Sequence, residues 1–186
     1  MKRYIKSAVV DVLSEDVATR EEISRSSNTP PLILLELAHD PNINIRANVA
    51  ANPNSPHQAL KLLARDGNLT IREYVANNSA STLSVLKILI NDSEHKIREY
   101  AFRNPNITSG GLDFLYQLAS DSDFEHRAGA ASNPNIPVEL LETLSNDANW
   151  VVRRSVAKNP NTPEDLLVKL SNDKNRFVAE TAKEQI

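Results

Sequence analysis

Six arginines stand in register along the chain: Arg20, Arg46, Arg72, Arg98, Arg127 and Arg153, at steps of 26, 26, 26, 29 and 26 residues. A line of guanidinium groups has two uses. It can grip phosphates, or each group can be held by a carboxylate and loop carbonyls and so knit neighbouring segments together. An aspartate six residues before most of these arginines favours the second use. Asp40, Asp66, Asp92, Asp121 and Asp147 form that column, and Asp173 continues it.

The other chemistry-bearing residues do not assemble into a site. The four histidines, His39, His57, His95 and His126, form neither an i, i+4 pair nor a His-Glu-x-x-His pattern. They occupy different places in the register and are not expected to converge. The absence of cysteine removes disulfides, thiol nucleophiles and thiolate-held zinc or iron–sulfur clusters. The serines and aspartates offer no nucleophile–base–orienter set, and Gly110-Gly111 is a lone glycine pair rather than a phosphate-binding loop. The reading is a non-enzymatic protein with no cofactor.

Charge points the same way. Lys and Arg number 21 against 24 Asp and Glu, a net charge of -3. Residues 1–93 carry 10 basic and 10 acidic groups, so no half is strongly basic. A general nucleic-acid binder needs a concentrated positive footprint. The N-terminal run from Ser7 to Val10 is broken by Asp11 and does not read as a secretory signal. No stretch approaches the ~18 apolar residues of a membrane span, so a cytoplasmic location without membrane attachment is expected.

What positions the arginines is an internal repeat. Asn-Pro-Asn recurs at 52–54, 104–106, 133–135 and 159–161, in step with the Arg and Asp columns. The single 29-residue step is a three-residue insertion, placed at Ser109-Gly110-Gly111. The register divides a single repeat domain, 1–186, into units 4–29, 30–55, 56–81, 82–107, 108–136, 137–162 and 163–186. The first is degenerate, with Ser14 in the Asp column, and the last has Ala179 in the Arg column. Atypical ends suit an array whose terminal units face water on one side.

Each unit reads as two short helices. In the third, Ser55 suits an N-cap, Pro56 the first helical position and Gln58 a capping box. Leu60, Leu63 and Ala64 then share one face. A second helix starts after Asn42, Asn68, Asp123, Asn149 or Asn175, two residues past the Asp column, and buries positions such as Ile71, Val75 and Ala76. It stops at the Asn column, where asparagine tolerates a left-handed C-cap and the following proline disfavours continuation. The excess of asparagine, 20 residues, is read as capping chemistry. Helices this short are marginal alone, so units must stack.

The pattern Leu-x-x-Leu-Ala-x-Asp-x-Asn-x-x-Ile-Arg-x-x-Val-Ala-x-Asn-Pro-Asn-x-Pro resembles the leucine-rich repeat variant, a bacterial relative of HEAT repeats, over about residues 16–175. The resemblance implies an all-α, right-handed α-solenoid of about seven two-helix repeats. It also implies that Asp40/Arg46, Asp66/Arg72, Asp92/Arg98, Asp121/Arg127 and Asp147/Arg153 act as a ladder between neighbouring units. One member type carries an N-terminal iron–sulfur module of cysteines. With no cysteine here, neither that module nor its redox role carries over.

Function then rests on positions that vary within the repeat. The two residues after each arginine should point away from the core. Tyr74 and Tyr100 recur there one repeat apart, preceded by Glu73 and Glu99 and followed by Asn77 and Arg103. Tyr and Arg are enriched at interface hot spots. These six residues form the candidate surface for a protein or peptide partner on the concave face. Packing of the two tyrosines on one another is the competing reading. Trp150, which replaces Ile43 or Leu69 of its column, is read as an inter-helix packing residue, and His126 as filling a defect in the core column. The alternative functions are nucleic-acid handling, by similarity to HEAT-like repair glycosylases, and an accessory or lyase-type role, by fold analogy alone.

Overall fold

The computed structural model describes residues 16–108 and 112–186, so the Ser109–Gly111 insertion and the N-terminal residues before Asp16, including Ser14, lie outside the described residues. Helices alternate short and long. They run α1 Val17–Arg25, α2 Pro31–Leu37, α3 Ile43–Ala51, α4 His57–Leu63, α5 Leu69–Asn77, α6 Leu83–Leu89 and α7 His95–Arg103. A 3₁₀ turn, Pro105–Thr108, follows. Then come α8 Asp113–Ala119, α9 Phe124–Ser132, α10 Val138–Leu144, α11 Trp150–Lys158, α12 Glu164–Leu170 and α13 Arg176–Lys183. The described residues contain no strand. Two compact units, Met1–Ala101 and Phe102–Ile186, divide the chain within α7.

The repeat is legible in the core. Leu34 and Leu37 of α2, Leu60 and Leu63 of α4, and Leu86 and Leu89 of α6 are buried, as are Ile45 and Val49 of α3 and Ile71 and Val75 of α5. In the second unit Leu115, Leu141, Val152, Val156 and Val178 play the same part. Within each unit the second helices of successive repeats pack on one another more extensively than the first helices do.

The starts of the second helices follow the expected chemistry. The Asn42 side chain accepts from Asn44 N–H, Asn68 from Thr70 and Ile71, Asp123 from Glu125, Asn149 from Val151 and Asn175 from Phe177. The starts of the first helices do not. Pro56 is the N-cap of α4, no side chain caps it, and the expected capping box does not form. Ser55 turns back instead. Its hydroxyl donates to the Val49 carbonyl at 2.5 Å, and Ser81 and Thr162 treat Val75 and Val156 the same way at 2.6 Å. The buried hydroxyl gives a second donor to a carbonyl in the last turn of the preceding helix, which also accepts the backbone N–H of the Asn column.

The Asn column is also different from expectation. Asn52, Asn78, Asn133 and Asn159 have φ between -74° and -70° with extended ψ, so none adopts the left-handed conformation. For Asn52, Asn133 and Asn159 the proline that follows accounts for this, because its ring drives the residue before it into the extended region.

Candidate interaction surface

Three polar columns fix where the variable residues stand. The first is the arginine column. Arg46 Nε donates to Asp66 Oδ2 at 2.7 Å, and Nη2 to Oδ1 at 3.4 Å. Arg72 grips Asp92 (2.7 and 3.2 Å), Arg127 grips Asp147 (2.6 and 3.1 Å) and Arg153 grips Asp173 (2.7 and 2.8 Å). Arg20 Nε pairs with Asp40 at 2.7 Å. Each carboxylate is therefore twenty residues ahead, in the following repeat. Toward the aspartate six residues back, the arginine offers a different atom to a different acceptor. Nη1 of Arg46, Arg72, Arg98, Arg127 and Arg153 donates to the backbone carbonyl of Asp40, Asp66, Asp92, Asp121 and Asp147 at 2.8–2.9 Å.

The aspartates do double work. Oδ1 of Asp40, Asp66, Asp92, Asp121, Asp147 and Asp173 accepts the backbone N–H two residues on, which shapes the turn into the second helix. Burial pushes Asp66 and Asp92 up, but the Arg46 and Arg72 hydrogen bonds, the turn N–H groups and nearby guanidinium charge hold both below the usual carboxylate range. For Asp147 and Asp173 the hydrogen bonds from Arg127 and Arg153 are the largest influence, and both are again depressed.

The second column was read in the sequence only as capping. Buried Asn78 Nδ2 donates to the carbonyls of Ala50 at 2.7 Å and Asn52 at 3.0 Å, in the preceding repeat. Asn52 does this to Ser24 and Ser26, and Asn159 to Ala131 and Asn133. Asn133 reaches Phe102 O at 2.5 Å. The second asparagine of Asn-Pro-Asn joins in, with Asn54 donating to Ser27 O and Asn161 to Pro134 O. The signal was present: capping alone does not require asparagine at every repeat, whereas one amide bridging two carbonyls does.

The third column is the pair of residues after arginine. Tyr74 on α5 is 42% exposed. Tyr100, its equivalent on α7, is half-buried, as are Glu73 and Glu99. Lys96 joins this group. Its ammonium pairs with Glu73 at 2.9 Å and stands 5.5 Å from the centre of the Tyr100 ring. Exposed Asn77 turns its amide back to Glu73 O at 3.1 Å. Arg103 is exposed and belongs to the second unit, where it lines an open groove of about 280 Å³ with Ser155 and Lys158. The outward direction expected of this column fails at Ala128 and Gly129, which are buried. There the Phe102 ring fills the space, so close that a Cβ on Gly129 would stand 2.4 Å from it. His126, in the column of Ile45 and Ile71, completes this local core. It meets Phe102 edge-on at 5.9 Å and engages Asp121 Oδ2 through Nδ1 at 3.1 Å.

Two features were not foreseen. His39 and His57 border one open groove of about 640 Å³ along α4, together with Lys61 and Arg65. Trp150 packs on the next second helix, its ring 5.6 Å from Phe177, yet stays 38% exposed. The first position of a second helix faces partly outward in this fold, as exposed Ile43 and Leu69 also show.

Helix pairs in fixed register, tied by an Arg–Asp ladder running forward and an Asn ladder running back, define a helical-repeat protein of the solenoid class. Residues 150–175 match the family model of the leucine rich repeat variant. That stretch is one 26-residue period of the register that runs along the chain. Among solved structures, a leucine-rich repeat variant protein described as having a novel repetitive structural motif is similar in fold. Its TM-score is 0.56 at 19% identity, over 98% of this chain and 71% of that one. A designed armadillo repeat protein in complex with the peptide (KR)4 gives a TM-score of 0.38 at 18% identity, over 96% of each chain. A second designed armadillo repeat protein gives 0.37 at 18% identity, over 95% of this chain and 96% of that one. No curated protein matches the chain at a significant level.

Proposed function

We propose that the chain is a non-enzymatic repeat scaffold that binds a protein or peptide along the face formed by its second helices. One observation carries the reading. The Asp, Arg and Asn columns are turned inward to their own neighbouring repeats, while Tyr74 stays 42% exposed and the Lys96–Glu73 pair stands against the Tyr100 ring. An exposed tyrosine is the residue type enriched at interface hot spots. The closer packing of the second helices supports placing them on the inner side of each unit's curvature, where a repeat array offers an extended surface.

The test is selection of binding peptides from a random display library on the purified chain, followed by affinity measurement on the Tyr74→Ala/Tyr100→Ala variant. The expected result is at least a tenfold loss, with an unchanged melting temperature. Peptides bound equally by both proteins place the binding site elsewhere and overturn this assignment of the tyrosines.

A further inference from the structure

Charge is balanced over the whole chain but sorted among its first helices. In the first unit α4 and α6 hold no acidic residue, and exposed Lys61 and Lys87 share one register position on them, 26 residues apart. In the second unit α10 holds no basic residue. There exposed Asp113, Glu139 and Asp165 share one register position on α8, α10 and α12, at steps of 26 residues. The matching positions of the first unit, Leu32, Gln58 and Ser84, are uncharged. Helix dipoles favour carboxylates in a first turn and cations in a last turn, but they do so on every helix alike. They do not account for Glu142, an exposed carboxylate in the last turn of α10.

Neither set is neutralised in its own unit. Among the described residues no carboxylate pairs with Lys61 or Arg65, and no cation pairs with Glu139, Glu142 or Asp165. Lys169, the one cation of α12, is turned to Ser145 and Asn146. Lys61 and Arg65 border the open groove of about 640 Å³ with His39, His57 and exposed Leu62. Among the carboxylates of the second unit, Tyr116, Val138 and Val168 are exposed.

We infer that the first helices of the first unit dock on the first helices of the second unit of another copy of this chain. Three observations select that occupant. The signs are opposite, and each face offers the ion-pair partners that the other lacks. The spacing is shared as well. α4 packs on α6 and α8 on α10, and both faces are built on one 26-residue period. Cations on successive helices therefore meet carboxylates on successive helices at a common step of about 8–10 Å. Lastly, both faces set exposed apolar side chains among the charges, the mixture that an interface buries behind a polar rim. The contact is heterologous, so a docked pair still offers one face of each sign to a further copy.

The test is sedimentation velocity of the full chain over a concentration series. At low ionic strength the average mass should exceed that of one chain and rise with concentration. It should return to one chain in about 1 M salt, where the Debye length falls to about 3 Å. Lys61→Glu/Arg65→Glu and Glu139→Lys/Glu142→Lys should each associate at least tenfold more weakly, because each reversal gives one chain two faces of the same sign. Both should keep the helical circular dichroism of the original, since all four side chains are exposed. Mixing the two variants should restore association, because each then meets the face it has lost. A constant mass at low ionic strength overturns the inference. So does a mixture that stays monomeric, or full association retained by either variant alone. Binding of a duplex oligonucleotide at constant chain mass, lost in Lys61→Glu/Arg65→Glu, would give the basic face to phosphodiesters and overturn it too. The inference does not rest on the scaffold reading. Tyr74→Ala/Tyr100→Ala should associate like the original chain, so the two assignments fail separately.

Discussion

Arg46 takes its carboxylate from Asp66, twenty residues ahead, while only the backbone carbonyl of Asp40, six residues behind, accepts from it. The guanidinium thus clamps two consecutive turns: Nε on the aspartate side chain of the next repeat and Nη1 on the turn of its own. This is the planar fork of arginine used at both prongs, a geometry a lysine ammonium cannot reproduce.

Arg72→Ala should therefore destabilise the chain by about 1–3 kcal/mol, the range for a hydrogen bond to a charged, partly buried partner. It removes bonds to Asp92 and to the Asp66 carbonyl together. Arg72→Lys should recover little of the loss. Urea denaturation of the three proteins checks both statements, and a Lys variant as stable as the original would show that charge alone suffices.

The columns of this ladder were legible in the sequence, but the partner was not, for an arithmetic reason. In a 26-residue register an aspartate six behind one arginine is also twenty ahead of the previous one. Column alignment cannot tell these apart, and only the three-dimensional stacking does. The core residues were legible because burial imposes a period, as Ile71, Val75 and Ala76 show. Ser55 caps no helix because its hydroxyl suits back-bonding as well as capping, and Asn52 is the C-cap its column implies while its amide also bridges to the preceding repeat, a use that its type alone does not distinguish. Trp150 packs between helices as its column implies, against Phe177, while its position at the start of the second helix leaves it partly exposed.

Acid should unfold the chain through the ladder. Asp66, Asp92, Asp147 and Asp173 are held below the ordinary carboxylate value in the fold, and they return to about 3.9 when unfolded. A depressed carboxylate contributes stability above its unfolded value. That contribution is lost as pH falls through the folded one, since the unfolded state then binds more protons. Stability from these four groups should be level between pH 7 and about pH 5 and fall progressively below about pH 4. Asp147→Asn should be less stable at pH 7 and show a shallower acid slope. An unchanged slope in guanidinium titrations from pH 3 to 7 would remove Asp147 from this account.

Asn78→Ala should cost more than a surface substitution, about 1–3 kcal/mol, because the Ala50 carbonyl loses its amide donor and the Asn52 carbonyl is left with the Ser55 N–H alone. The Ala80 N–H loses its acceptor as well. Asn78→Asp keeps the acceptor but sets a carboxylate against two carbonyls, so it should rescue nothing at neutral pH. Thermal unfolding at pH 7 compares the three. An aspartate variant of full stability would mean that capping of the Ala80 turn, and not the bridge to the preceding repeat, is what the column provides.

Phe102 and Gly129 form a compensated pair. Phe102 stands in a column otherwise held by small residues, Ser24, Ala50, Ala76, Ala131 and Ala157, and it is buried. Its ring occupies the space above Gly129, where an added Cβ would meet the ring carbons at 2.4–2.5 Å. The ring meets His126 edge-on, and the nearest atom in the way is Cγ, at the root of the ring and not the end of a flexible side chain. Gly129→Ala should therefore lose about 1–3 kcal/mol to overpacking, despite the helix-favouring effect of alanine. Phe102→Ala should lose about 3–5 kcal/mol by leaving a cavity. In the double variant the alanine at position 129 no longer clashes and fills part of that cavity. Its loss should fall short of the sum of the single losses by 1 kcal/mol or more, the signature of residues in direct contact. A double-mutant cycle by chemical denaturation measures this coupling. Strict additivity would show that the helix backbone, not the Phe102 ring, sets the requirement for glycine at this position.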